Sequence, residues 1–210
     1  TGLGKSRMQL AWADTVQRET GSDVLILAPL AVAEQTAEEG QSIGVAVTHA
    51  REGADELVFL DITATLEGRT TFTDMVRKVA SALNIPFTVG GGIGRVEDVS
   101  RLLSAGADKI SINSSAVKNP PLITELANEF GSQCVVVAID VRKHASNDEW
   151  NVVINAGKQP TEWEAVAWAK EAESLGAGEI LLTSMNNDGT KAGFALDITR
   201  AIAEAVGIPV

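Results

Sequence analysis

Two kinds of segment alternate strictly along this chain, and that alternation limits its folds more than any other feature. Short runs of Val, Ile and Leu fall at residues 24–28, 57–61, 87–89, 109–112, 135–140 and 179–183. They are apolar at odd and even positions alike, so a strand made from any of them buries both faces, as in a parallel sheet. Helical patterns lie at 7–18 and, between the later runs, at 71–83, 96–105, 121–130, 162–175 and 196–206. Gly106, Gly131 and Gly176 follow three of these patterns, where left-handed caps are expected. Repeated βα units predict a parallel α/β fold, either a barrel or a doubly wound sheet.

An internal repeat favours the barrel. Gly53-Ala54-Asp55-Glu56-Leu57-Val58 is similar to Gly176-Ala177-Gly178-Glu179-Ile180-Leu181, and Ile85-Pro86 to Ile208-Pro209, each pair 123 positions apart (53 to 176, 85 to 208). A unit of that length holds about four βα pairs, so two copies make the eight of a TIM-type (βα)8 barrel. The glycine run Gly90-Gly91-Gly92 would have its counterpart past Val210. The expectation is therefore an incomplete barrel, strands two to six plus the start of the seventh at 208–210. An open arc leaves unpaired edges. Residues 24–28, and with them 44–48, are expected to offer a substitute edge strand.

Charge and cysteine content narrow the function. A formal charge of −11 opposes a nucleic-acid-coating role, which needs clustered Lys and Arg. It leaves room for a local anion site built from backbone N–H groups. No apolar run reaches the roughly 18 residues of a membrane span, and the first residues carry no signal-peptide pattern. The one cysteine, Cys134, opens an apolar run and reads as a small buried hydrophobe in a reducing, cytoplasmic compartment. No Cys/His/carboxylate group has zinc spacing, so neither metal nor cofactor is expected. His49 and His144 are isolated, and Trp150, Trp163 and Trp168 read as packing residues.

The polar residues at strand ends fall into two sets. At the C-terminal ends lie Gly90-Gly91-Gly92, then Ser111-Ile112-Asn113-Ser114-Ser115, one βα unit later. Glycines allow close backbone approach to an anion, and the amide and hydroxyls are natural phosphate ligands. Asp140 ends the very apolar strand at 135–140, where burial would raise its pKa toward acid–base use. Asp61 and Asp188 lie at the same end, Asp61 suited to positioning other groups as much as to chemistry. Glu56, Lys109 and Glu179 occupy the N-terminal ends, where a ring of charge across the barrel floor reads as a stabilising ion-pair network.

Residues 55–64, 88–93, 109–114, 138–140 and 179–191 together resemble the cyclase subunit of imidazole glycerol phosphate synthase, from about Glu52 to Val210. Leu182-Thr183-Ser184-Met185-Asn186-Asn187-Asp188-Gly189-Thr190-Lys191 is the most specific stretch. The resemblance implies a lyase-type cyclisation. Ammonia from a partner glutaminase subunit condenses with a bisphosphorylated formimino substrate, giving imidazole glycerol phosphate and an aminoimidazole carboxamide ribotide. It implies Asp140 as one of two catalytic aspartates and Gly91, Gly92, Asn113 and Ser114 as one phosphate site. It implies Thr183, Asp188 and Gly189 as the substrate loop, Glu56, Lys109 and Glu179 as the ammonia gate, and Asp108 as a position facing the glutaminase. The family's other aspartate sits on a first strand that residues 1–51 do not match, so turnover is expected to be lost or impaired.

Those residues form a separate expectation. Gly2-Leu3-Gly4-Lys5-Ser6 ahead of a helical pattern resembles the end of a P-loop, with Gly4, Lys5 and Ser6 as possible nucleotide contacts. The run to Ala28-Pro29 resembles an early motif of ATP-dependent helicases. The expected organisation is a P-loop-like segment at 1–51 joined to a partial barrel at 52–210.

Overall fold

In the computed structural model, residues 26–29, 38–61, 73–144 and 149–210 are described. The strands are β1 (Ile26–Pro29), β2 (Leu57–Leu60), β3 (Phe87–Gly90), β4 (Lys109–Ile112), β5 (Val135–Lys143), β6 (Trp150–Ile154), β7 (Gln159–Glu164) and β8 (Glu179–Ser184). The helices are α1 (Glu38–Arg51), α2 (Thr73–Ala82), α3 (Val96–Ser104), α4 (Ser114–Lys118), α5 (Pro121–Phe130), α6 (Ala165–Ser174) and α7 (Leu196–Ala203).

The doubly apolar runs become the parallel strands. β1 to β5 pair in sequence order, and β8 pairs parallel with the far side of β5. Alternate side chains then face two different layers. Leu57, Phe59, Phe87, Val89, Ile110, Ile112, Val137, Ile139 and Ile180 pack with the helices in the main core. Val58, Val136, Ala138 and Leu181 form a second buried cluster with Leu60 on the other face. This inner-and-outer alternation is that of barrel strands. Each fully buried aliphatic side chain contributes about 1.5–3 kcal/mol, so this double burial drives the strand assignment.

The repeat is visible in hydrogen bonds. After α1, Gly53 N–H donates to Ala50 O and Ala54 N–H to His49 O; after α6, Gly176 N–H donates to Glu173 O and Ala177 N–H to Ala172 O. Both are Schellman caps, with Gly53 at φ 95 and Gly176 at φ 108. Leu57 N–H donates to Pro86 O, and Ile180 N–H to Pro209 O, each at 2.9 Å. Residues 208–210 thus run beside β8, where a next strand was expected to begin.

Three expectations need correction. Residues 44–48 are not an edge strand; they lie inside α1, which turns Ala46 and His49 into the interior. Packing against the sheet outweighs the β-branched character of that run. The helix expected from residue 162 starts at Ala165, because Gln159–Glu164 is strand β7. The Glu164 carboxylate caps α6, accepting from the N–H groups of Val166 and Ala167. Cys134 is half-buried in the short turn Ser132–Cys134 rather than buried in β5. The expected edge at 24–28 is present from Ile26, as β1. The helical pattern at 7–18 lies outside the described residues.

β6 and β7 form an antiparallel hairpin that continues from the C-terminal half of β5, with Asp140 opposite Val153. Its turn, Asn155-Ala156-Gly157, has three consecutive positive φ values, 55, 55 and 74. This hairpin folds over the C-terminal ends of the strands: the Asn155 N–H reaches Ser114 Oγ at 2.9 Å.

Candidate active site

The end of β4 and strand β8 flank Asp140 of β5. Its Oδ2 accepts a hydrogen bond from Asn113 Nδ2 at 2.9 Å. Register places Thr183 of β8 directly beside it, and the Thr183 side chain also hydrogen-bonds the carboxylate. Burial raises the Asp140 pKa; the Asn113 and Thr183 bonds oppose that rise, and the nearby Asp188 charge adds to it. The net direction is upward, which keeps a proton on this acid to higher pH than usual. Asn113 Oδ1 and Ser111 Oγ are buried without a partner among the described residues, and Asn113 thereby keeps hydrogen-bonding capacity beside Asp140.

The glycine run ends β3, the strand beside β4. Gly91 and Gly92 adopt φ values of 103 and 67, the left-handed region. A Cβ at Gly91 would collide with the Asp61 backbone carbonyl, so the end of β2 and the turn after β3 fit together only with glycine there. Asp61 is 1% exposed, and its N–H donates to Gly90 O at 2.9 Å. Ser114 opens α4 after β4 and is 8% exposed.

The loop after β8 is organised by its own polar side chains. Ser184 Oγ donates to Asn187 Oδ1 at 2.9 Å, and Asn187 Nδ2 to Gly193 O at 3.1 Å. Asp188 and Gly189 are exposed on this loop, and Gly189 has φ 70 with open space around its α-carbon. The loop is joined to the end of β5: Met185 N–H donates to Val141 O, and Lys143 N–H to Asn186 Oδ1.

At the opposite ends of the strands, Lys109 Nζ donates to Glu56 Oε2 and to Glu179 Oε2, each at 2.8 Å. Burial pulls the Lys109 pKa down, but its bonds and attraction to Glu179 and Glu56 outweigh that and raise it. Thr88 Oγ1 donates to Glu56 Oε1 at 2.7 Å, a member of the network absent from the sequence reading. Lys109 lies opposite Thr88 in register, and that cross-strand adjacency is the signal which pattern alone did not supply. Asp108 is exposed at this end and its carboxylate accepts the Phe87 N–H at 2.8 Å.

Other groups read from the sequence fall elsewhere. Gly4, Lys5 and Ser6 lie outside the described residues. His144 is exposed and His49 buried, far apart in sequence, and Trp163 packs on the fully buried Trp168 with ring centroids 5.0 Å apart. Among the described residues, no three His, Cys, Asp or Glu side chains are grouped to hold a metal, and no helix is long and apolar enough to cross a membrane.

Comparison with known proteins adds sequence kinship to this geometry. The family described as histidine biosynthesis protein matches residues 15–210, a span that starts well inside the head segment. Among relatives, imidazole glycerol phosphate synthase subunit HisF of Anoxybacillus flavithermus is 56% identical over 173 residues, covering 82% of this chain and 69% of that protein. The same subunit of Geobacillus thermodenitrificans is 54% identical over 176 residues, 84% of this chain and 70% of its own length. That of Bacillus cereus is 58% identical over 171 residues, 81% and 68% respectively.

Proposed function

This chain belongs to the histidine biosynthesis protein family, and from that premise we propose that Asp140 is a catalytic acid–base group in imidazole ring formation. The chain is a cyclase-type enzyme of histidine biosynthesis, as its kinship with the HisF subunits supports. Its substrate, on this reading, is the bisphosphorylated formimino ribonucleotide, which ammonia converts to imidazole glycerol phosphate and aminoimidazole carboxamide ribotide. Gly91, Gly92, Asn113 and Ser114 hold one phosphate. Thr183, Asp188 and Gly189 line the loop on the far side of Asp140. Gly4, Lys5 and Ser6 take no part in this reading.

One observation carries the assignment. Asp140 has a raised pKa and two hydrogen-bond partners, Asn113 just past the end of β4 and Thr183 on β8. A carboxyl so held can give a proton to a departing group and take it back, with its oxygens fixed in direction. The glycine turn at the end of β3 offers backbone approach to a phosphate. The name "subunit" borne by the relatives supports a partner subunit for this chain. We place that partner, a glutaminase supplying ammonia, at the end bearing Glu56, Lys109 and Glu179.

The test is turnover of the formimino substrate with ammonium as nitrogen source, followed by the appearance of imidazole glycerol phosphate. Product formed by the chain and lost in D140N supports the assignment. Equal rates for the two proteins would reject Asp140.

A further inference from the structure

The hairpin turn contributes to the site through a residue with no assigned role. Asn155 N–H donates to Ser114 Oγ at 2.9 Å. Its side chain then spans two elements: Oδ1 accepts from Lys118 Nζ at 3.2 Å, and Nδ2 donates to Gln159 Oε1 at 2.8 Å. Asn155 therefore touches both ends of α4 and the start of β7. The turn is also seated against the loop after β8, because the Gly157 α-carbon lies so close to the Met185 side chain that a Cβ there would collide with it.

A serine hydroxyl has one proton and two lone pairs. An N–H that occupies a lone pair forbids the hydroxyl proton from pointing the same way. Ser114 is 8% exposed, and among the described residues its hydroxyl donates to no protein acceptor. A serine hydroxyl without such a contact rotates to suit whatever acceptor is at hand. The Asn155 N–H limits that rotation by keeping the proton away from the side it occupies.

We infer that Asn155 is a positioning residue that turns the Ser114 hydroxyl toward bound phosphate. This rests on the phosphate reading of Asn113 and Ser114 given above. Asn155 suits the task because it adopts φ 55, a conformation Asn tolerates better than most residues. The side-chain bonds to Lys118 and Gln159 keep the N–H in place.

Titration of the whole chain with inorganic phosphate tests this, with thermal melting to check folding. A hydrogen bond to a charged group corresponds to a change of about tenfold or more in affinity. S114A is expected to weaken phosphate binding about tenfold. N155A is expected to weaken it several-fold in the native background and less than about twofold on top of S114A, since both act through one hydroxyl. N155A keeps the backbone N–H but strains the left-handed turn that aims it; N155G removes that strain and is expected to bind more tightly than N155A. Two results overturn the inference alone: S114A weakens binding while N155A does not, or N155A weakens binding equally in both backgrounds. If S114A leaves binding unchanged, the phosphate reading fails and this inference with it.

Discussion

Asp140 shows how one carboxylate is tuned by its surroundings. Burial raises its pKa, and the Asn113 and Thr183 hydrogen bonds limit the rise. A carboxyl whose folded pKa lies above its unfolded value contributes stability below the unfolded pKa and loses it as pH rises through the folded one. D140N replaces the charge with a neutral amide of similar shape. Its melting temperature should match the native chain at acid pH and exceed it as pH rises through the Asp140 pKa, read from melts at several pH values. Turnover by D140N should fall about 10²–10⁴-fold, the usual worth of a positioned acid–base group. Gly91 and Gly189 offer a second contrast among single residues. Both have positive φ, but only at Gly91 does a Cβ meet backbone, the Asp61 carbonyl. G189A should cost about 1–2 kcal/mol from conformation alone, and G91A about 2–5 kcal/mol because overpacking adds to it. Urea denaturation of the two variants gives the comparison; equal losses would mean that the β2–β3 fit is softer than the geometry implies.

The strands carry these residues to their places, and the charged ring shows how an element's first residue can matter. Glu56 precedes β2, Lys109 opens β4 and Glu179 opens β8, so three strand starts meet through one ammonium group. Removing only the lysine leaves two half-buried carboxylates facing each other. K109M should therefore destabilise by about 1–3 kcal/mol, and the triple variant E56Q/K109M/E179Q by less, because no charge is left uncompensated. Chemical denaturation of both proteins decides it; a triple variant weaker than K109M would mean that the ion pairs themselves stabilise the floor. The Lys109 pKa is raised, so its contribution persists below the ordinary lysine pKa and is lost only at strongly alkaline pH. The six parallel strands were legible because each run is apolar on both faces, and Asp140, Asn113 and Lys109 were legible because polarity at the end of such a run is conspicuous. β7 was not, since its residues are largely exposed and polar, burial alternating weakly along Gln159–Glu164. Glu162-Trp163-Glu164 joined the helical pattern of α6 instead, with Glu164 as its cap. Thr88 and Asn155 were missed for a related reason: their partners Glu56 and Ser114 are set by register and by the folding-over of the hairpin, and neither leaves a mark in local sequence.

The whole molecule separates two polar ends with an apolar interior. Asp140 and the glycine turn lie at the C-terminal ends of the strands, the Glu56–Lys109–Glu179 ring at the N-terminal ends, and Val58, Val136, Ala138 and Leu181 between them. We propose that ammonia enters at the charged end and that the partner subunit docks there. A small neutral molecule crosses such an apolar stretch far more readily than an ion does. Asp108 tests docking without disturbing the interior. Its carboxylate is exposed at that end and caps the start of β3 by accepting the Phe87 N–H. D108N keeps an acceptor oxygen for that N–H and removes only the charge, so the melting temperature should stay within about 2 °C of native, consistent with a near-neutral surface change. Ammonium-dependent turnover should stay within about twofold, because Asp140 is untouched. Turnover coupled to glutamine hydrolysis by the partner should drop, since a charge at an interface rim governs association rate and its salt dependence. The two nitrogen sources, measured side by side on D108N, separate the possibilities: a parallel fall in both would place Asp108 in the fold of β3 rather than in docking, and an unchanged glutamine-coupled rate would move the partner away from this end.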